Sequence, residues 1–156
     1  MTTSAILHAL IPLVADLAQD LPERERLRRL LAALRAVLPA DAAALLRLEG
    51  EWLRPVAIDG LAPDTLGRRF RIADHPRFAQ LLAAGQAMRF APDSPLPDPY
   101  DGLVAQPDTT LHVHDCMGCV LHAGGLPWGL LTLDALDAGR FADPASLAAL
   151  QAFSNL

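Results

Sequence analysis

Apolar residues recur every three or four positions at Leu27, Leu30, Leu31, Leu34, Val37 and Leu38, with Pro22 at a first turn and Arg24, Arg28, Arg29 and Arg35 on other faces. This spacing predicts a helix that buries one side and leaves its charges in water, where Glu25 stands four residues before Arg29. Upstream, residues 4–18 read as an amphipathic helix. That stretch is interrupted by His8, Pro12 and Asp16 and is shorter than the roughly 20 residues a membrane span needs. After the arginine-bearing helix the period changes. Residues 41–48 and 51–58 read as two strands of a hairpin turning at Glu49-Gly50. Pro76–Ala84 reads as a short helix closed by Gly85, and residues 88–90 as a brief strand.

The pattern then dissolves over residues 91–108, where Pro92, Pro95, Pro97, Pro99 and Pro107 exclude a regular helix and leave a long loop of the kind usually kept for function. Strands return at 111–122 and 128–134, joined through Ala123-Gly124-Gly125-Leu126-Pro127. Asp143 then caps a last helix over residues 144–156. Short hairpin connections make the pairings antiparallel. The element order implies an α/β (α+β) domain with a central antiparallel sheet of five to six strands flanked by helices.

At 156 residues there is room for one domain and no second. With 18 acidic residues against 13 basic ones, nothing draws the chain to phosphate backbones or anionic lipid. Direct nucleic-acid binding and membrane association are therefore not expected. Cys116 and Cys119 lie three positions apart, and a disulfide between them would close almost no loop, which favours a reduced, cytoplasmic setting.

Three places carry candidate metal ligands: Asp98 and Asp101 in the loop, the group His112, His114 and Cys116, and Asp134 at the end of a strand. Asp before Pro99 and Asp before Gly102 are also what turn chemistry selects. In an extended strand His112, His114 and Cys116 share one face, with Val113 and Asp115 on the other. Register offers a sharper expectation. A connecting loop of three or five residues centred on Gly125 sets Cys116 opposite Asp134, whereas a loop of two or four separates them. Carboxylates with one thiolate suit ferrous iron better than structural zinc. The surplus negative charge of such a set would be offset by a nearby guanidinium, for which Arg77 is the candidate. Having no lone pair to give, it stands beside the metal rather than on it.

The runs Leu66-Gly-Arg-Arg-Phe, His75-Pro-Arg, Arg89-Phe, Asp93-Ser, Leu96-Pro-Asp-Pro-Tyr-Asp-Gly-Leu, His114-Asp-Cys and Leu131-Thr-Leu-Asp resemble the input domains of the NorR-type enhancer-binding proteins. The resemblance spans roughly residues 22–139. It implies a single GAF-type sensor domain over 1–156, with its core at 22–139 and flanking helices at 4–18 and 144–156. It also implies a mononuclear non-haem Fe(II) centre that binds nitric oxide and thereby controls an attached AAA+ transcription-activator module. The family's iron positions fall on Arg77, Asp98, Asp101, Cys116 and Asp134, with His114 close by. The chain carries neither a phosphate-binding Gly-rich loop nor a helix-turn-helix, and so is expected to be a sensor piece of a longer regulator, not an enzyme. Moving such a switch from mostly off to mostly on takes about 5.5 kcal/mol of preference for one state.

Two other classes compete. Cys116-Met-Gly-Cys119 is a C-x-x-C pair of the sort that does thiol redox work, as in methionine sulfoxide reductase-like enzymes, though it lies in a strand and not at a helix N-terminus. It could also serve as half a zinc site, for which no second pair exists. The remaining reading is a GAF module that binds a small organic ligand, or mediates a homodimer through its terminal helices. With aromatic residues only 5% of the chain, stacking platforms for a nucleotide base are few.

Overall fold

A computed structural model describes residues 8, 11, 20–101, 103 and 115–155. Of the expected helix at 4–18, only His8 and Ile11, both helical, fall among them; the rest of that reading, and the part of the 111–122 strand before Asp115, lie outside the described residues. The elements in chain order are α1 (Glu23–Val37), β1 (Ala42–Glu49), β2 (Trp52–Asp59), β3 (Phe70–Arg71), α2 (Pro76–Ala84), β4 (Met88–Phe90), β5 (Asp115–Ala123), β6 (Leu126–Ala135) and α3 (Pro144–Ser154). Short 3-10 turns at Pro63–Gly67 and Ile72–Asp74 flank β3. The six strands form one antiparallel sheet in the order β3-β2-β1-β6-β5-β4.

Strand alternation sorts the core into two layers. Ala43 and Leu45 of β1, Met117 and Cys119 of β5, and Leu131, Leu133 and Ala135 of β6 point to one face, where Leu31 and Leu34 of α1 and Ala149, Leu150 and Phe153 of α3 cover them. Their neighbours Ala42, Ala44 and Leu46, Cys116 and Val120, and Leu130 point to the other face. Phe78 and Leu81 of α2, with Tyr100 and Leu103 from the proline-rich loop, cover that side. A Cβ at Gly118 would come within 2.8 Å of a Leu81 methyl and 3.1 Å of the Leu131 carbonyl, so the absence of a side chain there lets α2 lie close on β5.

Local signals account for the ends of these elements. Gly85 ends α2 in the left-handed conformation at φ 67, with its N–H on the Leu81 carbonyl. The Asp143 carboxylate accepts from the Ala145 N–H and opens α3. The first hairpin turns at Gly50-Glu51, one residue later than the Glu49-Gly50 expected, because Gly50 takes the positive φ the turn demands.

The second hairpin departs from expectation in an instructive way. Its turn has two residues, Gly124 and Gly125, both at positive φ, between the paired Ala123 and Leu126. A two-residue turn was expected to separate Cys116 from Asp134, yet the two are direct cross-strand partners. The reason is a bulge: His122 pairs with Pro127 but Leu121 pairs with Gly129, so Trp128 is an extra residue in β6 that shifts the register by one.

Candidate metal centre

β5 and β6 set Cys116 and Asp134 opposite each other on the face under α2, and the proline-rich loop brings Asp98 to both. One ligand atom from each of Asp98, Cys116 and Asp134 lies within 4.8 Å of the others, and all three residues are buried. Asp98 is placed by its own turn. Its Oδ1 accepts from the Tyr100 N–H at 2.7 Å, a short carboxylate bonding the backbone two residues on. Its Oδ2 takes Arg77 Nη1 at 3.0 Å, while Arg77 Nε donates to the Leu96 carbonyl at 3.0 Å. The same guanidinium stands 5.0 Å from the centre of the Phe90 ring. Arg77 thus lies beside the acidic group as a buried counter-charge.

Asp134 is the anomaly. It is wholly buried, and neither of its carboxylate oxygens has a hydrogen-bond partner among the described residues. Burial, followed by the facing Asp98 carboxylate, holds its pKa well above the ordinary carboxylate value. Burial likewise raises Asp98, against the pull of the neighbouring Asp134 carboxyl, the Tyr100 N–H and the Arg77 charge. The Cys116 thiol is pushed up by burial and then by both carboxylates. All three shifts run toward the protonated form, as burial and the mutual repulsion of the acidic groups require.

Those features fit a divalent cation. Ionised to bind a cation, the three donors beside one guanidinium would leave a local surplus of two negative charges, and the two Asp134 oxygens have no hydrogen-bond partner among the described residues. One sulfur among oxygen ligands is also a set that ferrous iron accepts.

The remaining expected site residues divide. Asp101 is exposed on the turn that follows Asp98 and is not one of the mutually close ligands, although its charge helps raise the Asp98 pKa. His112 and His114 lie outside the described residues. Cys119 does not join Cys116: it is buried on the opposite face against α1 and α3, its thiol pushed up to about 12 chiefly by burial. Two thiols on opposite faces of one strand cannot form the redox pair or half zinc site weighed above.

Sequence reasoning assigned no role to two pairs, Tyr100 with Thr132 and Asp115 with Arg89. Tyr100 is fully buried with its phenol oxygen accepting from the Thr132 hydroxyl at 3.1 Å, and Thr132 shares the Asp134 face. Asp115, one residue before Cys116, accepts both Arg89 Nε and Arg89 Nη2 at 2.9 Å. Tyr100 was legible as the lone tyrosine of the proline-rich run. A separate open cavity of about 330 Å³ lies toward α1, lined by Arg24, Leu27, Arg47, Val56, Leu66 and Trp128 among others.

The GAF domain model matches residues 22–156, and the chain belongs to that family. The fold agrees: the GAF domain of a phosphoenolpyruvate-protein phosphotransferase from Coxiella burnetii superposes with a TM-score of 0.76 at 18% identity, covering 99% of this chain and 90% of that one. Within the family the sequence groups with NorR proteins. It is 56% identical over 140 residues to the nitric oxide reductase transcription regulator NorR1 of Cupriavidus necator, covering 89% of this chain and 27% of that protein. To the anaerobic nitric oxide reductase transcription regulator NorR of Klebsiella pneumoniae it is 50% identical over 126 residues, covering 81% and 24%. The chain spans about a quarter of the length of these curated relatives.

Proposed function

We propose that this chain is the nitric-oxide-responsive input domain of a transcription regulator, one sensor module with its core at residues 22–139, and that Asp98, Cys116 and Asp134 hold a ferrous ion. The observation that carries the reading is the fully buried, partnerless carboxylate of Asp134 facing a thiol and a second carboxylate. A buried polar group left without a partner costs on the order of 1–3 kcal/mol, a cost sustained here at a place where a cation would remove it. The names of the NorR relatives supply the gas. Bound there, ferrous iron would supply the coordination position that takes up nitric oxide.

The protein's own residues do the rest. Arg77 balances charge and, through Leu96 and Asp98, pins the loop to α2. Phe90 and Tyr100 pack against the group and exclude water. Asp101 and His114 are assigned to the site by resemblance. The output is control, by this domain, of an AAA+ activator module elsewhere in the regulator. No helix among the described residues is long and apolar enough to cross a membrane, in keeping with a cytoplasmic role. The placement of Cys116 and Cys119 on opposite faces favours a sensor over a thiol enzyme.

Anaerobic titration with Fe(II) tests the proposal. One iron per chain is expected, with a nitrosyl signal by electron paramagnetic resonance once nitric oxide is added. Both should disappear in Asp134→Asn and Cys116→Ala. The same iron content and signal in either variant would overturn it.

A further inference from the structure

Directly behind the acidic group, on the other face of the sheet, a second set of buried polar contacts ties the site to α3. Asp115 precedes Cys116 on β5 and its side chain is completely buried. Its Oδ1 accepts from Arg89 Nε at 2.9 Å and from the Cys116 N–H at 3.1 Å. Its Oδ2 accepts from Arg89 Nη2 and from the Phe141 N–H, both at 2.9 Å. Phe141 is buried in the core with α3 and lies in the connection that runs from β6 into that helix. Arg89 is the neighbour of Phe90, which pairs with Cys116 across the sheet and receives the Arg77 guanidinium on its ring.

The start of the same connection is held in a matching way. The Asp41 N–H donates to the Asp134 carbonyl at 2.9 Å, and its Oδ2 accepts from the Leu136 N–H at 2.8 Å. Two aspartates therefore grip residues 136–141 at both ends through their carboxylates, and each is also tied to the backbone of a site residue, Asp115 by accepting from the Cys116 N–H and Asp41 by donating its own N–H to the Asp134 carbonyl. From this geometry we infer that Asp115 is a positioning residue through which a displacement of β5 at Cys116 is passed to Phe141 and α3, with Asp41 anchoring the other end of the link. A carboxylate with four donors from three segments cannot follow one of them without pulling on the others.

The inference rests on the proposed metal site for the signal that moves Cys116, but the tie itself needs no metal. Amide deuterium exchange separates the two. In metal-free protein, Asp115→Asn is expected to speed exchange in peptides covering residues 136–143 at least about tenfold, a rate rise that would register the loss of the charged grip on Phe141. Adding Fe(II) anaerobically to the wild type is expected to change exchange in residues 144–155 about threefold or more. In Asp115→Asn that change should vanish while iron stoichiometry is retained, an outcome a purely structural residue would not give. Arg89→Lys, which keeps the charge and loses the two-pronged contact, should fall between the two and serves if Asp115→Asn does not fold. Unaltered exchange over 136–143 in both variants, or an intact iron response in 144–155 of either, would overturn the coupling. Failure of the wild type to bind iron would instead overturn the proposed function, leaving the metal-free comparison to decide the tie.

Discussion

Asp115 and Asp134 are both carboxylates at complete burial, on neighbouring strands and one pairing step apart, and they live in opposite circumstances. Asp115 points to the helical face and has four donors on its two oxygens. Asp134 points to the loop face and has none among the described residues. Burial is equally costly for both charges, so the difference lies in what the surroundings return. A satisfied carboxylate holds elements together; a deprived one, facing two more acidic groups, stores an unmet demand. The contrast teaches that burial alone does not mark a functional acid, whereas burial without partners does.

The contrast breaks most severely at Asp115. Replacing it with Ala strands the Arg89 guanidinium and the Phe141 N–H, and we expect a loss of about 3–5 kcal/mol in chemical denaturation of the metal-free protein. Asp134→Asn should act in the opposite direction. An amide can donate toward Asp98, so the metal-free variant is expected to be more stable than the wild type by about 1–3 kcal/mol at pH 8. A loss on that scale would show that Asp134 is satisfied after all.

The pH dependence sharpens the same point. Because the folded-state pKa of Asp134 is raised, the folded protein binds the proton more tightly than the unfolded chain does. Its stabilising effect is then full below the unfolded carboxylate value and is lost as pH climbs toward the folded one, with a slope approaching about 1.4 kcal/mol per pH unit for one proton. Urea midpoints of the metal-free wild type should fall between pH 5 and pH 8, and Asp134→Asn should flatten that fall.

The smallest effect belongs to a carboxylate at the surface. Glu25 is held at about 2 by hydrogen bonds from Arg28 and Arg29, yet it lies at the surface in contact with solvent, which screens the pair. No measurable change in thermal midpoint is expected for Glu25→Gln. A shift comparable to that of Asp115→Ala would mean that charge pairing, and not burial with full hydrogen bonding, sets the scale.

Much of the scaffold was legible because its signals are local. The helical spacing of Leu27 to Leu38, the αL residue Gly85 and the Asp143 cap each act within a few residues, and all three sit where the pattern put them. The two-residue strand β3 and the 3-10 turns around it were not legible, since pairing with Trp52 and Leu53 rather than any period of their own creates them. The bulge at Trp128 was hidden for a similar reason: the extra residue shows only in the pairing of β6 with β5 and not in any local signal. Within the site, Asp98 followed from its motif, and Cys116 and Asp134 were candidates by residue type, but their facing did not follow from loop length, since a two-residue turn predicts separation and only the bulge reverses it. Asp115 did not, because its value lies in Arg89 and Phe141, each 26 residues away in the chain. The separation of Cys116 from Cys119 was available all along, for an odd spacing in a strand always means opposite faces.

The added residue at Trp128 is what carries the acidic group into register. Were β6 to zip straight along β5 from the Gly124-Gly125 turn, with Trp128 taking an ordinary place in the ladder, Leu133 would come in line with Cys116 where Asp134 now stands. Straightening one kink some six positions from the acidic group would thus rotate that carboxylate into the greasy layer beneath α1 and α3, erasing the centre without touching any of its members.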